Sequence, residues 1–125
     1  MDDEALELAH RMFDVARDGG AAELAAYVDA GVPVDLTDAK GDTLLILAAY
    51  HGHPDTVAAL LARGADPART NDRRQTALAA ATVVRSAASV TALLDAGADP
   101  AAGTPSALAT AEHFELPDML ELLRR

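Results

Sequence analysis

The stretch Thr43–Pro67 reads TLLILAAYHGHPDTVAALLARGADP, and Thr76–Pro100 reads TALAAATVVRSAASVTALLDAGADP, 33 residues further on. In this register Thr43 pairs with Thr76, Ala48 with Ala81 and Val57 with Val90. Leu60-Leu61 pairs with Leu93-Leu94, and Gly64-Ala65-Asp66-Pro67 with Gly97-Ala98-Asp99-Pro100. No gap is needed. Self-similarity at a fixed period of this length is the signature of stacked repeats. Moving back by one period finds a weaker copy, in which Gly19, Leu24, Val28 and Gly31 match Gly52, Val57, Leu61 and Gly64. A last copy starts near Gly103. There Met119, Leu122 and Leu123 take the places of Val57, Leu60 and Leu61, after a connecting segment about four residues shorter. The units are roughly 5–36, 37–69, 70–102 and 103–125, within one domain spanning 1–125.

Each unit reads as two short helices. Thr43 or Thr76 is a good N-cap, because its hydroxyl can accept a bond from an otherwise orphan N–H. Leu and Ala residues then build a first helix, and Gly52 can end it in a left-handed conformation. Pro54 or a small equivalent opens the second helix, where a missing N–H is harmless. Val57, Leu60 and Leu61 lie at i, i+3 and i+4, which makes one apolar stripe. Gly64 stops that helix and Pro67 prevents its resumption; Ala68 to Arg74 is polar and turn-like. One such unit has apolar surface on both flanks, so it must stack on neighbours, with more polar units at the ends. Glu4, Glu7 and Asp14 in the first unit, and Glu121, Arg124 and Arg125 in the last, fit solvated outer faces. A complete small array is the expectation.

Composition agrees. Of 125 residues 30 are Ala, while Phe13, Phe114, Tyr27 and Tyr50 are the only aromatics, so helix is favoured over strand. Cysteine is absent, which excludes disulfides, Cys-ligated zinc and thiol nucleophiles. The acidic start (Met1, Asp2, Asp3, Glu4) is no secretory signal. No apolar run approaches the length of a membrane span. A soluble, cytoplasmic protein is expected, with no membrane partner. Nine Arg against a single Lys, with so much Ala, resembles the composition of proteins from GC-rich bacteria. The net charge of −10 argues against nucleic acid, since phosphate binding needs clustered Lys and Arg. Between Lys40 and Arg85, however, six basic residues meet four acidic ones, a mildly basic waist between acidic ends.

The residues resemble the ankyrin repeat, whose pattern runs roughly D-x-x-G-x-T-P-L-H-x-A-A-x-x-G-H-x-x-V-x-x-L-L-x-x-G-A-D. Asp38 to His53 follows it closely, as does Val57 to Asp66. The departures are local. Leu44-Leu45-Ile46 stands where the family shows Pro-Leu-His, Arg74 replaces the turn glycine, and Arg85-Ser86 replaces Gly-His. The last unit offers Thr104-Pro105, but placing that pair leaves one residue over before Met119. The resemblance implies an all-α ankyrin-repeat solenoid of stacked helix–turn–helix units joined by β-turn-like loops.

The resemblance also implies binding of a partner protein on the concave side, through turn tips and the exposed ends of first helices. Carried over by position, unit two presents Ala39, Lys40, Asp42, Tyr50 and His51, and unit three presents Asp72, Arg73, Gln75, Val83 and Val84. On the flanks stand Arg17 and Asp18 in the first unit, and Glu112 and His113 in the last. Tyr50, Val83 and Val84 could form an interface centre ringed by polar groups. The bland alternative is that a valine tucks under the Arg85-Ser86 turn. Lys40, Arg69, Arg73 and Arg74 could attract an acidic partner, or simply keep the surface solvated, and the acidic ends could equally steer a basic partner.

Catalysis finds no support in the residues. His51 and His53 sit two apart on a turn, without the convergence a metal needs, and His53 reads as a local hydrogen-bonding residue of the turn. Thr110 and His113 lack oxyanion donors, and no glycine-rich phosphate loop occurs. The expectation is a non-catalytic, monomeric interaction module with no cofactor and no metal. A dedicated acidic inhibitor or immunity-type protein, an oligomerisation piece, and an engineered binder on this scaffold are the alternatives.

Overall fold

Both threonines begin helices. The Thr43 hydroxyl accepts the Ile46 N–H and the Thr76 hydroxyl the Ala79 N–H, each at 3.1 Å, so an orphan donor is satisfied at each start. The computed structural model describes residues 3–125; Met1 and Asp2, read above as part of an acidic start, lie outside the described residues. The helices are α1 (Asp3–Asp18), α2 (Ala21–Asp29), α3 (Leu44–Tyr50), α4 (Pro54–Ala62), α5 (Ala77–Val83), α6 (Ala87–Asp95), α7 (Ala107–His113) and α8 (Pro117–Leu123). They form four helix–turn–helix pairs. Odd-numbered helices pack in series, α1 on α3, α3 on α5 and α5 on α7, and even-numbered helices do the same behind them. Two layers of helices result. Among the described residues there is no strand; isolated bridges Thr37–Thr43 and Thr70–Thr76 close the two central loop tips.

The core follows from this stacking. Helices α3 and α5 are enclosed by neighbours before, after and behind, so Leu44 to Ala49 and Ala77 to Thr82 are all buried. A helix hydrophobic all round belongs in the interior, and LLILAA and ALAAA satisfy that with side chains small enough for close approach, while the buried Thr82 hydroxyl donates to Leu78 O. The second helices bury a stripe only, Val57 and Leu60 in α4 and Val90 and Leu93 in α6. Burying a Val or Leu side chain contributes roughly 1.5–3 kcal/mol, so most of the stability is spread along the contacts between units.

First helices end alike. Gly52 adopts φ +74°, with His53 N–H donating to Ala48 O at 3.0 Å and Gly52 N–H to Ala49 O at 3.2 Å, a Schellman closure. Units three and four repeat it without glycine: Ser86 N–H reaches Ala81 O and Leu116 N–H reaches Ala111 O, with Arg85 at φ +58° and Glu115 at φ +53°. Arg74 likewise holds φ +64° where Gly41 holds φ +77°. Left-handed backbone costs a non-glycine residue about 1–2 kcal/mol, so Arg74, Arg85 and Glu115 each carry a local strain within one unchanged framework.

The last unit resolves the residue left over. Helix α7 is capped not by Thr104 but by Ser106, whose hydroxyl accepts the Ala109 N–H at 3.1 Å. From Thr76 to Ser106 the interval is 30 residues against 33 between Thr43 and Thr76, so the connection is three residues shorter. Met119 therefore occupies the place of Thr56, not Val57, and Leu123 that of Leu60; both are buried, at 1% and 4% exposure. Leu122 is only half-buried. The expected equivalence of Met119, Leu122 and Leu123 with Val57, Leu60 and Leu61 is thus displaced by one residue.

Candidate protein-binding groove

The loop tips are built on one side-chain geometry used twice. Asp38 Oδ1 accepts the N–H groups of Lys40 and Asp42, both at 2.9 Å. One period later Asn71 Oδ1 accepts the N–H groups of Arg73 and Gln75, both at 3.0 Å. Such side-chain acceptors replace backbone partners and fix the turn. Because Oδ1 faces two donors, the Asn71 amide nitrogen must point the other way, where it donates to Asp42 Oδ1 and to Gln75 Oε1, each at 2.8 Å. The Asp72 N–H donates to Lys40 O at 3.0 Å, and Asp72 sits so close to Gly41 that a Cβ there would meet its Oδ1 at 2.6 Å. Neighbouring tips are therefore locked together.

Between the tips and the exposed ends of the first helices runs a groove of about 430 Å³. Its floor includes Ile46, Leu47, Ala79 and Ala80, and its far wall Tyr50, Val83 and Phe114. Those three wall residues are 52%, 39% and 54% exposed, so two of the chain's four aromatics stand in solvent on one concave wall. Arg17, Asp38, Lys40, Asp42, Asn71, Arg73 and Gln75 form the polar side, and Arg17 also reaches Asp38 Oδ2 at 3.7 Å.

Of the positions carried over from sequence, Lys40, Asp42, Tyr50, His51, Arg73, Gln75 and Val83 line this groove, whereas Ala39, Asp72, Val84, Glu112 and His113 do not. Neither valine is tucked away: Val84 is 40% exposed beside Val83. Sequence reasoning did not select Phe114 or Pro105 as site residues. The three-residue contraction explains Phe114, because the true register aligns it with His51, while Glu112 and His113 came from a register one residue off. The lone aromatic of the last turn was the available signal.

His53 has a different task. Its Nε2 lies 2.7 Å from Arg17 O, and since a carbonyl only accepts, the nitrogen carries the proton and donates. The ring lies against Gly19, where a Cβ would meet it at 2.6 Å. The bond is thus between units rather than local to the turn. Among the described residues no group of three His, Cys, Asp or Glu side chains could hold a metal, and no helix is long and apolar enough to cross a membrane. The Asp118 carboxyl is held below its ordinary value by hydrogen bonding to Arg85 at 3.2 Å, on the surface away from the groove lining.

The family pattern of ankyrin repeats (three copies) matches residues 12–104. An ankyrin repeat protein of Pseudomonas aeruginosa is 47% identical over 57 residues, which is 46% of this chain and 33% of that protein. Human ankyrin repeat domain-containing protein 29 is 47% identical over 60 residues, 47% of this chain and 20% of that protein. The matched segments thus span a third or less of these relatives. The crystal structure of the human ASB11 ankyrin repeat domain superposes with a TM-score of 0.81 at 27% identity, covering 90% of this chain and 52% of that one. Repeat period, stacked helix pairs and sequence kinship agree: the chain belongs to the ankyrin repeat family.

Proposed function

We propose that this chain is a non-catalytic, monomeric interaction module that holds a partner protein in the groove between its loop tips and the ends of α3, α5 and α7. Ankyrin repeats are generally protein–protein interaction modules. The observation that carries the reading here is the exposed wall of Tyr50, Val83 and Phe114. Aromatic anchors surrounded by polar groups are the usual energetic centre of an interface. The acidic-inhibitor reading draws less support, because the charged groove lining sets Arg17, Lys40 and Arg73 against Asp38 and Asp42 and leaves the acidic surplus elsewhere.

The test pairs the immobilised protein with a Tyr50→Ala, Val83→Asp, Phe114→Ala variant of unchanged helicity. A protein retained by the first and lost by the second supports the groove. Equal retention moves binding to another face, and retention by neither sinks the interaction reading.

A further inference from the structure

The groove's charges are not equally available. Both carboxylates in it are already engaged, Asp38 by two backbone N–H groups and Arg17, and Asp42 by the Asn71 amide. The cations of the neighbouring tips are not: among the described residues Lys40, Arg73 and Arg74 make no ion pair, and all three are exposed. Arg74 also stands in the left-handed conformation where the preceding tip has Gly41, so a charge is kept at a position whose backbone favours glycine. In a chain of net charge −10, the unpaired charge at these tips is net positive, with Lys40, Arg73 and Arg74 against the exposed Asp72. Of these, Lys40 and Arg73 line the same groove as the apolar side chains of Tyr50, Val83 and Phe114.

We infer that the groove's occupant is an extended acidic segment carrying an aromatic or aliphatic anchor. The anchor packs against Tyr50, Val83 and Phe114, while carboxylates of the same segment pair with Lys40 and Arg73. Guanidinium groups suit carboxylates because they donate in a bidentate fork. The inference rests on the groove reading and adds the chemistry of the partner. It runs against the molecule's overall field, which favours basic ligands, so selection by bulk charge and selection by the groove give opposite answers.

Random linear peptides displayed on phage, selected on the full chain at physiological ionic strength, distinguish them. The expected winners are net acidic with an aromatic or leucine anchor, and they bind a Lys40→Glu, Arg73→Glu variant about tenfold or more weakly. Both substitutions replace exposed side chains whose tip contacts are made by backbone atoms, so the fold is retained, as circular dichroism can verify. Net basic winners, no winners, or acidic winners indifferent to the charge reversal overturn the inference. Tyr50→Ala with Phe114→Ala separates the two levels. Basic peptides lost on that variant overturn the acidic partner but keep the groove, whereas peptides of any charge that ignore it overturn both.

Discussion

Asn71 stands where the preceding unit has Asp38, and the exchange of one oxygen for an amide nitrogen decides how two loop tips meet. Both side chains fold their own turn through Oδ1, but only the amide can also donate to Asp42. Asn71→Asp removes that donor, leaves Gln75 Oε1 without it, and sets two carboxylates against each other at a position 9% exposed. Losing a buried partner costs about 1–3 kcal/mol; urea denaturation should show a loss of that size with an unchanged m-value. Asp38→Asn should be milder, because Oδ1 keeps both backbone bonds and only the 3.7 Å contact with Arg17 suffers. The sequence displays the Asp/Asn difference but not its cause, which lies in the contact between Asn71 and Asp42, 29 positions apart. His53 teaches the same lesson. Its family motif placed it in a turn, and only the stack shows that it grips the carbonyl of Arg17 in the unit before.

At the scale of elements, the repeat made most helices legible: Thr43 and Thr76 cap where expected, and Gly52 closes α3 in the left-handed form. The register of α7 and α8 was not legible, because Thr104-Pro105 imitates the family's helix start while Ser106 provides the cap. That single displacement hid Phe114 from the candidate site. The second helices hold a further feature that sequence conceals. Thr56 and Ser89 occupy equivalent positions in α4 and α6, both fully buried, and among the described residues neither hydroxyl has a hydrogen-bond partner. Met119 fills the same slot in α8, so the site accepts an apolar side chain. Thr56→Val should therefore raise stability by about 1 kcal/mol, since an unpaired buried polar group is removed without change of shape. Thr82→Val in α5 is the contrasting case, because its hydroxyl donates to Leu78 O at 2.7 Å; it should lower stability by about 0.5–1.5 kcal/mol. Equal signs in thermal or chemical denaturation would refute the assignment.

For the whole molecule, each helix pair touches only its neighbours, so stability is distributed as in a one-dimensional array. A cavity should then act according to where it lies. Leu60→Ala empties a fully buried position in α4, between α2 and α6, and should cost about 2–5 kcal/mol across the entire array. Leu123→Ala opens a cavity in α8, the last described helix, and should raise amide exchange in α7 and α8 while leaving α3 to α6 protected. Uniform loss of protection in both variants would contradict the stacked account. The array also explains why the groove could be anticipated only in part. Positions on the tips and at the ends of the first helices follow the period, so Lys40, Tyr50, Arg73 and Val83 were readable. The floor of Ile46, Leu47, Ala79 and Ala80, and Phe114 on the far wall, emerge only once α3, α5 and α7 are set side by side.

Under the proposed function this concave side, and not the outer layer of helices, receives the partner. The most direct measurement is amide hydrogen exchange on the protein with and without a bound partner or selected peptide. Binding in the groove should give protection in the tips 38–42 and 71–75 and at the C-terminal ends of α3, α5 and α7, with α2, α4, α6 and α8 unchanged. Protection gained on the even-numbered helices, with the tips unaltered, would contradict it.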